Sequence, residues 1–255
     1  MKKLFLVLAL LSWLAVPVFA EDFQVEVLNV QGTAKASQAG GDFVSLKEGD
    51  VLKKGAKIEV EKGAEVDLSF DKDWKNILRL ETESEAEIDS VSPAKVGLKK
   101  GAVFAKLKQL PKDSSFSVET PTALAAVRGT EYRTLFENGQ TQVFNVSTSK
   151  VSVYGLDAAG HASGEPVILS QSQKTGVVQT GEAPRPAELM SSEVSRKTEE
   201  IKSGIQEKVE EAQKSGRVGK IQDVAAIEKS LVSRGATEEA ESRVVDTRRR
   251  AFKKA

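Results

Sequence analysis

Alternating apolar and polar positions run through most of the chain between Phe23 and Val178. Val25, Val27 and Val30 begin the first alternation, which stops at Gly32. Phe43 to Leu46 leads into Lys47-Glu48-Gly49-Asp50, whose Gly-Asp pair marks a turn. Ile58 and Val60 precede Gly63. Val66, Leu68 and Phe70 then share one face while Glu65, Asp67 and Ser69 share the other. A polar turn over Asp71-Lys72-Asp73-Trp74-Lys75-Asn76 returns the chain into Ile77, Leu78 and Leu80. Further strands are predicted over Ala102–Leu107, Ser115–Val118, Thr130–Phe136, Thr141–Val146 and Val151–Tyr154. Pro166–Leu169 and Lys174–Val178 close the series. Asn138-Gly139 is the clearest hairpin signal, because both residues tolerate positive φ. Short strands at this spacing fit a sandwich, a barrel or a β-solenoid.

The period changes after Gly181-Glu182-Ala183-Pro184-Arg185-Pro186, which reads as a linker. Pro186 suits the first position of a helix and Glu188 its first turn. Ile201, Ile205 and Val209 form a narrow apolar stripe, with Glu193–Lys197 and Glu210–Lys214 as i,i+4 pairs. Gly216 and Gly219 end this helix. A second amphipathic run carries Ile221, Val224, Ile227 and Leu231, and a third opens at Thr237-Glu238-Glu239 and closes on a basic end. The expected organisation is therefore a targeting segment over 1–20, an all-β domain over 21–180, a linker over 181–186 and a helical region over 187–255.

Lys2 and Lys3 precede the apolar run Leu4–Val16, and Val18-Phe19-Ala20 offers a cleavage site after Ala20. This is a signal peptide in form, too short for a comfortable membrane span. Export to the periplasm or the outside of a bacterial cell is expected, with no span after its removal. The chain has no Cys, so a disulfide framework and N-terminal lipidation on Cys are excluded. The 37 Lys and Arg residues balance 37 Asp and Glu, so no charge bias points to nucleic acid.

The most specific stretch is Thr120-Pro121-Thr122-Ala123-Leu124-Ala125-Ala126-Val127-Arg128-Gly129-Thr130-Glu131-Tyr132-Arg133. A charge beside Gly inside a strand-like run marks a bulge or a close backbone approach. Other elements stand in fixed order around it. They are Val30-Gln31-Gly32-Thr33-Ala34, Leu46-Lys47-Glu48-Gly49-Asp50-Val51-Leu52-Lys53-Lys54-Gly55, Leu68-Ser69-Phe70-Asp71 and Leu98-Lys99-Lys100-Gly101-Ala102-Val103. Together they resemble the FecR domain family. The resemblance implies an all-β domain with solenoid-like character and a role in binding a protein or ligand. It also implies that Val127, Arg128, Gly129, Thr130, Tyr132, Gly49, Asp50 and Gly101 serve the fold. The chain departs from the pattern at Ser149-Lys150-Val151, where the family shows a Gly-Val pair. The family's namesake regulators carry an anti-sigma segment and a membrane helix before the domain. Here a signal-like segment stands in that place, so their signalling role is not carried over.

Among single residues, Arg128 is read as a brace held by Glu119, Glu131 or turn carbonyls, with an anionic ligand as the functional alternative. His161, the only His, lies in a Gly/Ala/Ser loop and is read as exposed. Asp71, Asp73 and Asn76 lack the Gly and Glu of a calcium loop and are read as turn residues. Trp74 either anchors a partner or folds back over the sheet. Glu81, Glu83, Glu85 and Glu87 alternate and are placed on one solvated strand face. Arg248, Arg249 and Arg250 are contact candidates for an acidic surface or an anionic envelope polymer.

No catalytic pair, metal set or cofactor fingerprint stands out, so no cofactor is expected. The sequence points to a non-catalytic binding or scaffolding protein with a protein or envelope-polymer partner. Two alternatives are a sensory protein acting through a membrane partner and a carbohydrate-binding or carbohydrate-active β protein.

Overall fold

The computed structural model describes residues 24–216, apart from 39, 109 and 111–113. The expected signal peptide, the two later helices and Arg248, Arg249 and Arg250 lie outside the described residues. The described chain is mostly β with one long helix.

Seventeen strands are arranged as two sheets joined through one shared strand. The first sheet is built on β1 (Val25–Gln31), β4 (Val51–Leu52), β6 (Glu65–Ser69), β7 (Asn76–Leu80), β12 (Glu131–Glu137), β13 (Gln140–Asn145), β16 (Gln173–Val177) and β17 (Glu188–Leu189). The second holds β2 (Ala34–Ser37), β3 (Val44–Ser45), β5 (Lys57–Val60), β8 (Glu85–Val91), β10 (Phe116–Glu119), β11 (Ala123–Val127), β14 (Val151–Leu156) and β15 (Ala162–Leu169). The shared strand is β9 (Ala94–Leu107). Its first half pairs with β8 and β10, its second half with β7 and β12. Every pairing is antiparallel except β9 with β10. Of the architectures allowed by the strand rhythm, this is the sandwich.

The two sheets enclose one core. Val27, Leu68, Leu78, Val103 and Tyr132 from the first sheet meet Ile58, Ile88, Val96, Phe116 and Val153 from the second. Phe70 meets Phe116 edge to face, with ring centroids 5.1 Å apart. Such alternation explains why the strand pattern was readable: inward positions had to be apolar. The Asn138-Gly139 hairpin forms as expected, with φ of 52° and 75°.

The chain passes repeatedly between the sheets, and most passages turn through a residue of positive φ: Gly32, Gly63, Glu83, Gly101, Gly129 and Ser172. Gly101 shows why. It sits at φ +83° where β9 leaves one sheet for the other, and a Cβ there would lie 2.3 Å from Ser84 Oγ and 2.7 Å from Ser84 Cα. The space is taken by the Ser84 hydroxyl, which donates to the Ala102 carbonyl and accepts from the Ala102 amide, each at 3.0 Å. On another edge, a turn at Thr120-Pro121-Thr122 is locked to β13 because the Thr120 and Thr122 hydroxyls both meet Thr141 Oγ1 at 2.6 Å. All three threonines are buried.

The Glu81–Glu87 run does not form one solvated face. Glu81 is buried, Glu83 makes the turn at φ 55°, and only Glu85 and Glu87 belong to β8. A sheet-to-sheet passage falls inside the run and ends the alternation.

The expected linker is packed against the sandwich. Gly181 N–H donates to the Leu156 carbonyl, Arg185 N–H to the Gly176 carbonyl, and Thr175 Oγ1 to the Arg185 carbonyl. Gly155 lacks a Cβ where the Glu182 carbonyl crosses. The segment then continues as β17 on β16, so Pro186 and Glu188 are not helical. Helix α1 (Ser192–Lys214) starts later because Ser191 caps it, accepting from Val194 N–H. Lys214 lies in its last turn, and Gly216 follows at φ 68°.

Helix α1 docks on the outer face of the first sheet. Ile205, Val209 and Ala212 are buried there with Leu28, Trp74, Ile77, Phe104 and Val146, and Ile201 packs beside them. The predicted stripe is thus the docking stripe. The predicted pairs Glu193–Lys197 and Glu210–Lys214 are replaced by Arg196–Glu200 at 2.6 Å and Lys208–Glu211 at 2.9 Å. Exposed pairs of long side chains exchange partners at little cost.

The outer strands are short or interrupted. The first sheet ends in β4 and β17 and the second in β3, each of two residues. The remaining edge, β15, carries Gly164 and Pro166 within a break in its register with β14.

Two substitutions separate crowding from backbone strain. Gly101→Ala should cost roughly 3 kcal/mol or more, since strain adds to a backbone clash, while Gly49→Ala, at φ +82° with open space around it, should cost about 1–2 kcal/mol. Urea denaturation of both variants measures the difference. Ile205→Ala should weaken the docking of α1 by about 2–5 kcal/mol. Hydrogen exchange should then rise across residues 192–214 and leave β10, β11 and β14 protected.

Candidate functional site

The two outer faces of the sandwich differ in what covers them. On the first sheet, cross-strand register places Asp67, Arg79, Phe104, Arg133 and Phe144 in one row. Arg79 Nε and Nη2 donate to the two Asp67 oxygens at 2.7 and 2.8 Å, and Nη1 lies 3.0 Å from Glu65. Arg133 grips Glu81 in the same way at 2.6 and 2.9 Å, and its guanidinium stands 5.7 Å from the Phe144 ring centroid. The Asp67, Arg79, Glu81 and Arg133 charges are buried, and bidentate geometry satisfies them.

Helix α1 seals part of this row. At Gly204 a Cβ would sit 3.1 Å from Arg79 Nη1, a tight contact with the guanidinium held by Asp67. That contact accounts for a glycine inside a helix, where it costs about 1 kcal/mol relative to Ala. Lys202 Nζ reaches Glu131 at 2.9 Å, and this hydrogen bond raises the Lys202 pKa. Lys106 Nζ donates to Gln206 Oε1, and burial lowers its pKa. Part of the first sheet's outer face is therefore taken up by its own helix.

Trp74 belongs to this face. At φ 54° it folds back, buried, and its Nε1 donates to Glu26 Oε2 at 2.9 Å. It is not available as an exposed anchor. Its turn is held by Asp71, whose carboxylate accepts from the amides of Asp73, Lys75 and Asn76. Asn145, part of an Asn-Val-Ser triplet, is fully buried, with its amide bonded to the carbonyls of Ser149 and Leu169. His161 is exposed beside Asp157, whose pKa falls because it accepts from the His161 backbone amide.

Most of the other motif residues lie in the core or in turns that fasten it, with one exception. Val127 and Tyr132 are in the core. Thr130 is buried. Gly49 N–H donates to the Val27 carbonyl, Asp50 accepts from Lys47 N–H, and together they fasten a turn to β1. Arg128 is the exception. It is exposed and makes no hydrogen bond or ion pair with any described residue. Its expected partners are occupied: Glu119 by Lys95 at 2.6 Å, Glu131 by Lys202. The expected brace role falls to Arg133, one strand later, and to Arg79.

Arg128 instead borders a cleft of about 450 Å³ on the outer face of the second sheet. Two passages between the sheets meet there, at Arg128-Gly129-Thr130 and around Ser149-Lys150. The last paired residues are Ala126 and Ser152, so Arg128 and Lys150 stand in step just beyond them. Lys150 is exposed and, like Arg128, has no side-chain partner among the described residues. Ser115, Ser152 and Tyr154 line the remaining rim. No carboxylate is among the described lining residues. Lys150 was not a sequence candidate. Its signal was the departure from the family pattern at Ser149-Lys150-Val151.

Residues 56–152 match the model of the FecR protein family. The chain carries a FecR domain. The matched segment runs from the start of β5 into β14 and so includes the shared β9, the Arg128–Thr130 passage and the Lys150 side of the cleft. Gly49 and Asp50 precede it, and α1 lies beyond it. No curated protein matches the chain. Two crystal structures of an anti-sigma factor candidate from Parabacteroides distasonis ATCC 8503, at 1.65 and 2.50 Å, are similar at 17% identity with a TM-score of 0.43. The alignment covers 54% of this chain and 61% of theirs, so the chain spans about three fifths of their length.

Arg133→Ala should destabilise the FecR domain by about 3–5 kcal/mol, because it strands Glu81 as a buried charge. The double change Arg133→Met with Glu81→Leu should recover most of that loss. Chemical denaturation of the single and double variants provides the comparison.

Proposed function

We propose that this protein is a non-catalytic binding component of the bacterial cell envelope, exported on its first twenty residues and freed of them. The observation that carries this reading is the contrast between the two faces. One is partly covered by the chain's own helix, and the other presents Arg128 and Lys150, without side-chain partners among the described residues, over an open cleft. The buried arginines Arg79 and Arg133 are both paired with carboxylates. Unpaired cations beside a concave surface suit recognition of something outside the molecule.

The FecR domain itself favours a second reading, a regulatory protein that acts through a membrane partner. No helix among the described residues is long and apolar enough to cross a bilayer, so such a partner would supply the span. Both readings use the open face, and they differ in what is bound there.

Affinity capture from envelope extracts tests the proposal, with the full chain as bait. The Arg128→Ala/Lys150→Ala variant should lose the captured component, and His161→Ala, remote in the register, should keep it. Equal capture by all three would count against the open face as the binding surface. A membrane protein in the face-dependent fraction would favour the regulatory reading.

A further inference from the structure

We infer that the Arg128–Lys150 cleft binds an acidic sugar, a saccharide unit bearing a carboxylate or phosphate group. This rests on the reading of the open face as a binding surface and names the chemistry it takes.

The inference starts from what the cleft offers. Arg128 supplies a planar fork of donors suited to a carboxylate or phosphate, and Lys150 a second positive charge. Neither is neutralised by a described neighbour. The hydroxyls of Ser115, Ser149, Ser152 and Tyr154 also make no hydrogen bond to any described residue. The lining thus holds unpaired cations at one end and a field of free hydroxyls beside them. An inorganic anion would use the cations and leave the hydroxyls idle. A hydroxyl-rich ring with one acidic substituent uses both.

The backbone argues in the same direction. The cleft lies on the face of paired strands, not at an edge. β11 is bonded to β10 on one side and β14 on the other, and β14 is bonded to β15. An extended peptide therefore finds no free ladder to join, and side chains alone must recognise the ligand. Ala126 and Val127 keep the floor low, and Gly129, with nothing within 4 Å of a Cβ position, leaves the rim open. Tyr154 presents an aromatic body with a polar tip, which can cover the apolar side of a sugar ring. The volume of about 450 Å³ lies within the range of about 300–1,000 Å³ common for small-ligand sites.

Titration calorimetry on the full chain at low salt tests this with four probes. They are tetragalacturonate, its fully methyl-esterified form, glucose 6-phosphate and a hexaglutamate peptide. Binding of tetragalacturonate or glucose 6-phosphate is expected, and which one binds identifies carboxylate or phosphate as the acidic group. The methyl ester should bind at least about tenfold more weakly than its acid, as should the acidic probe to Arg128→Ala or Lys150→Ala, matching the loss of one charge-assisted hydrogen bond. Ser152→Ala should weaken binding of the acidic sugar and leave any hexaglutamate binding unchanged. All three residues lie at the surface of the cleft, so denaturation midpoints should stay at the wild-type value. The inference is overturned if neither acidic sugar binds, if hexaglutamate binds as tightly, or if binding survives the substitutions. Face-dependent capture from envelope extracts with no acidic-sugar binding would overturn this assignment alone. Loss of both would overturn the wider reading as well.

Discussion

Everything in this molecule depends on one strand serving two sheets. β9 holds the first sheet with its second half and the second sheet with its first half, and the change occurs at Gly101. The backbone there needs both a positive φ and room for the Ser84 side chain. A strand that changes sheets ties the two layers covalently, so they cannot slide independently. The remaining passages repeat that constraint in weaker form. The cleft at Arg128 and Lys150 is a by-product of it, formed where two such passages come side by side.

The outer face of the first sheet shows a different compromise. Buried ion pairs such as Arg79–Asp67 and Arg133–Glu81 lose hydration and regain it only through good geometry. Helix α1 covers part of this row, and the strap of residues 181–189 delivers the helix to it. The helix is set in register by Gly204 against Arg79, Lys202 on Glu131 and Gln206 on Lys106. An apolar face would bind a helix with less discrimination, because many registers would bury similar area.

The strands were legible because inward positions alternate, and the hairpin at Asn138-Gly139 because its turn type demands those residues. The helix stripe was legible for the same reason at a different period. Three features were not. Alternation cannot reveal that the second face of a strand is also buried, so Glu81 read as solvated. Composition marked residues 181–186 as a linker, yet Gly155 had already made room for that segment on the sheet. Arg128 and Arg133 stand in the same motif. Which of them is buried was set by Glu81, distant in sequence, and by the corner that ends β11.

The edges carry a consequence for how this protein meets others. Among the described residues, three of its four boundary strands are two residues long, and the fourth is broken by Gly164 and Pro166. Such borders give a foreign strand little to extend, which guards a β-rich chain against growing into fibres. The same borders close off the commonest way for sheets to recruit peptides. On the described sheets, contact with the outside then falls to side-chain chemistry on the sheet faces, where selectivity is set by a few exposed groups and is readily retuned without disturbing the layers beneath.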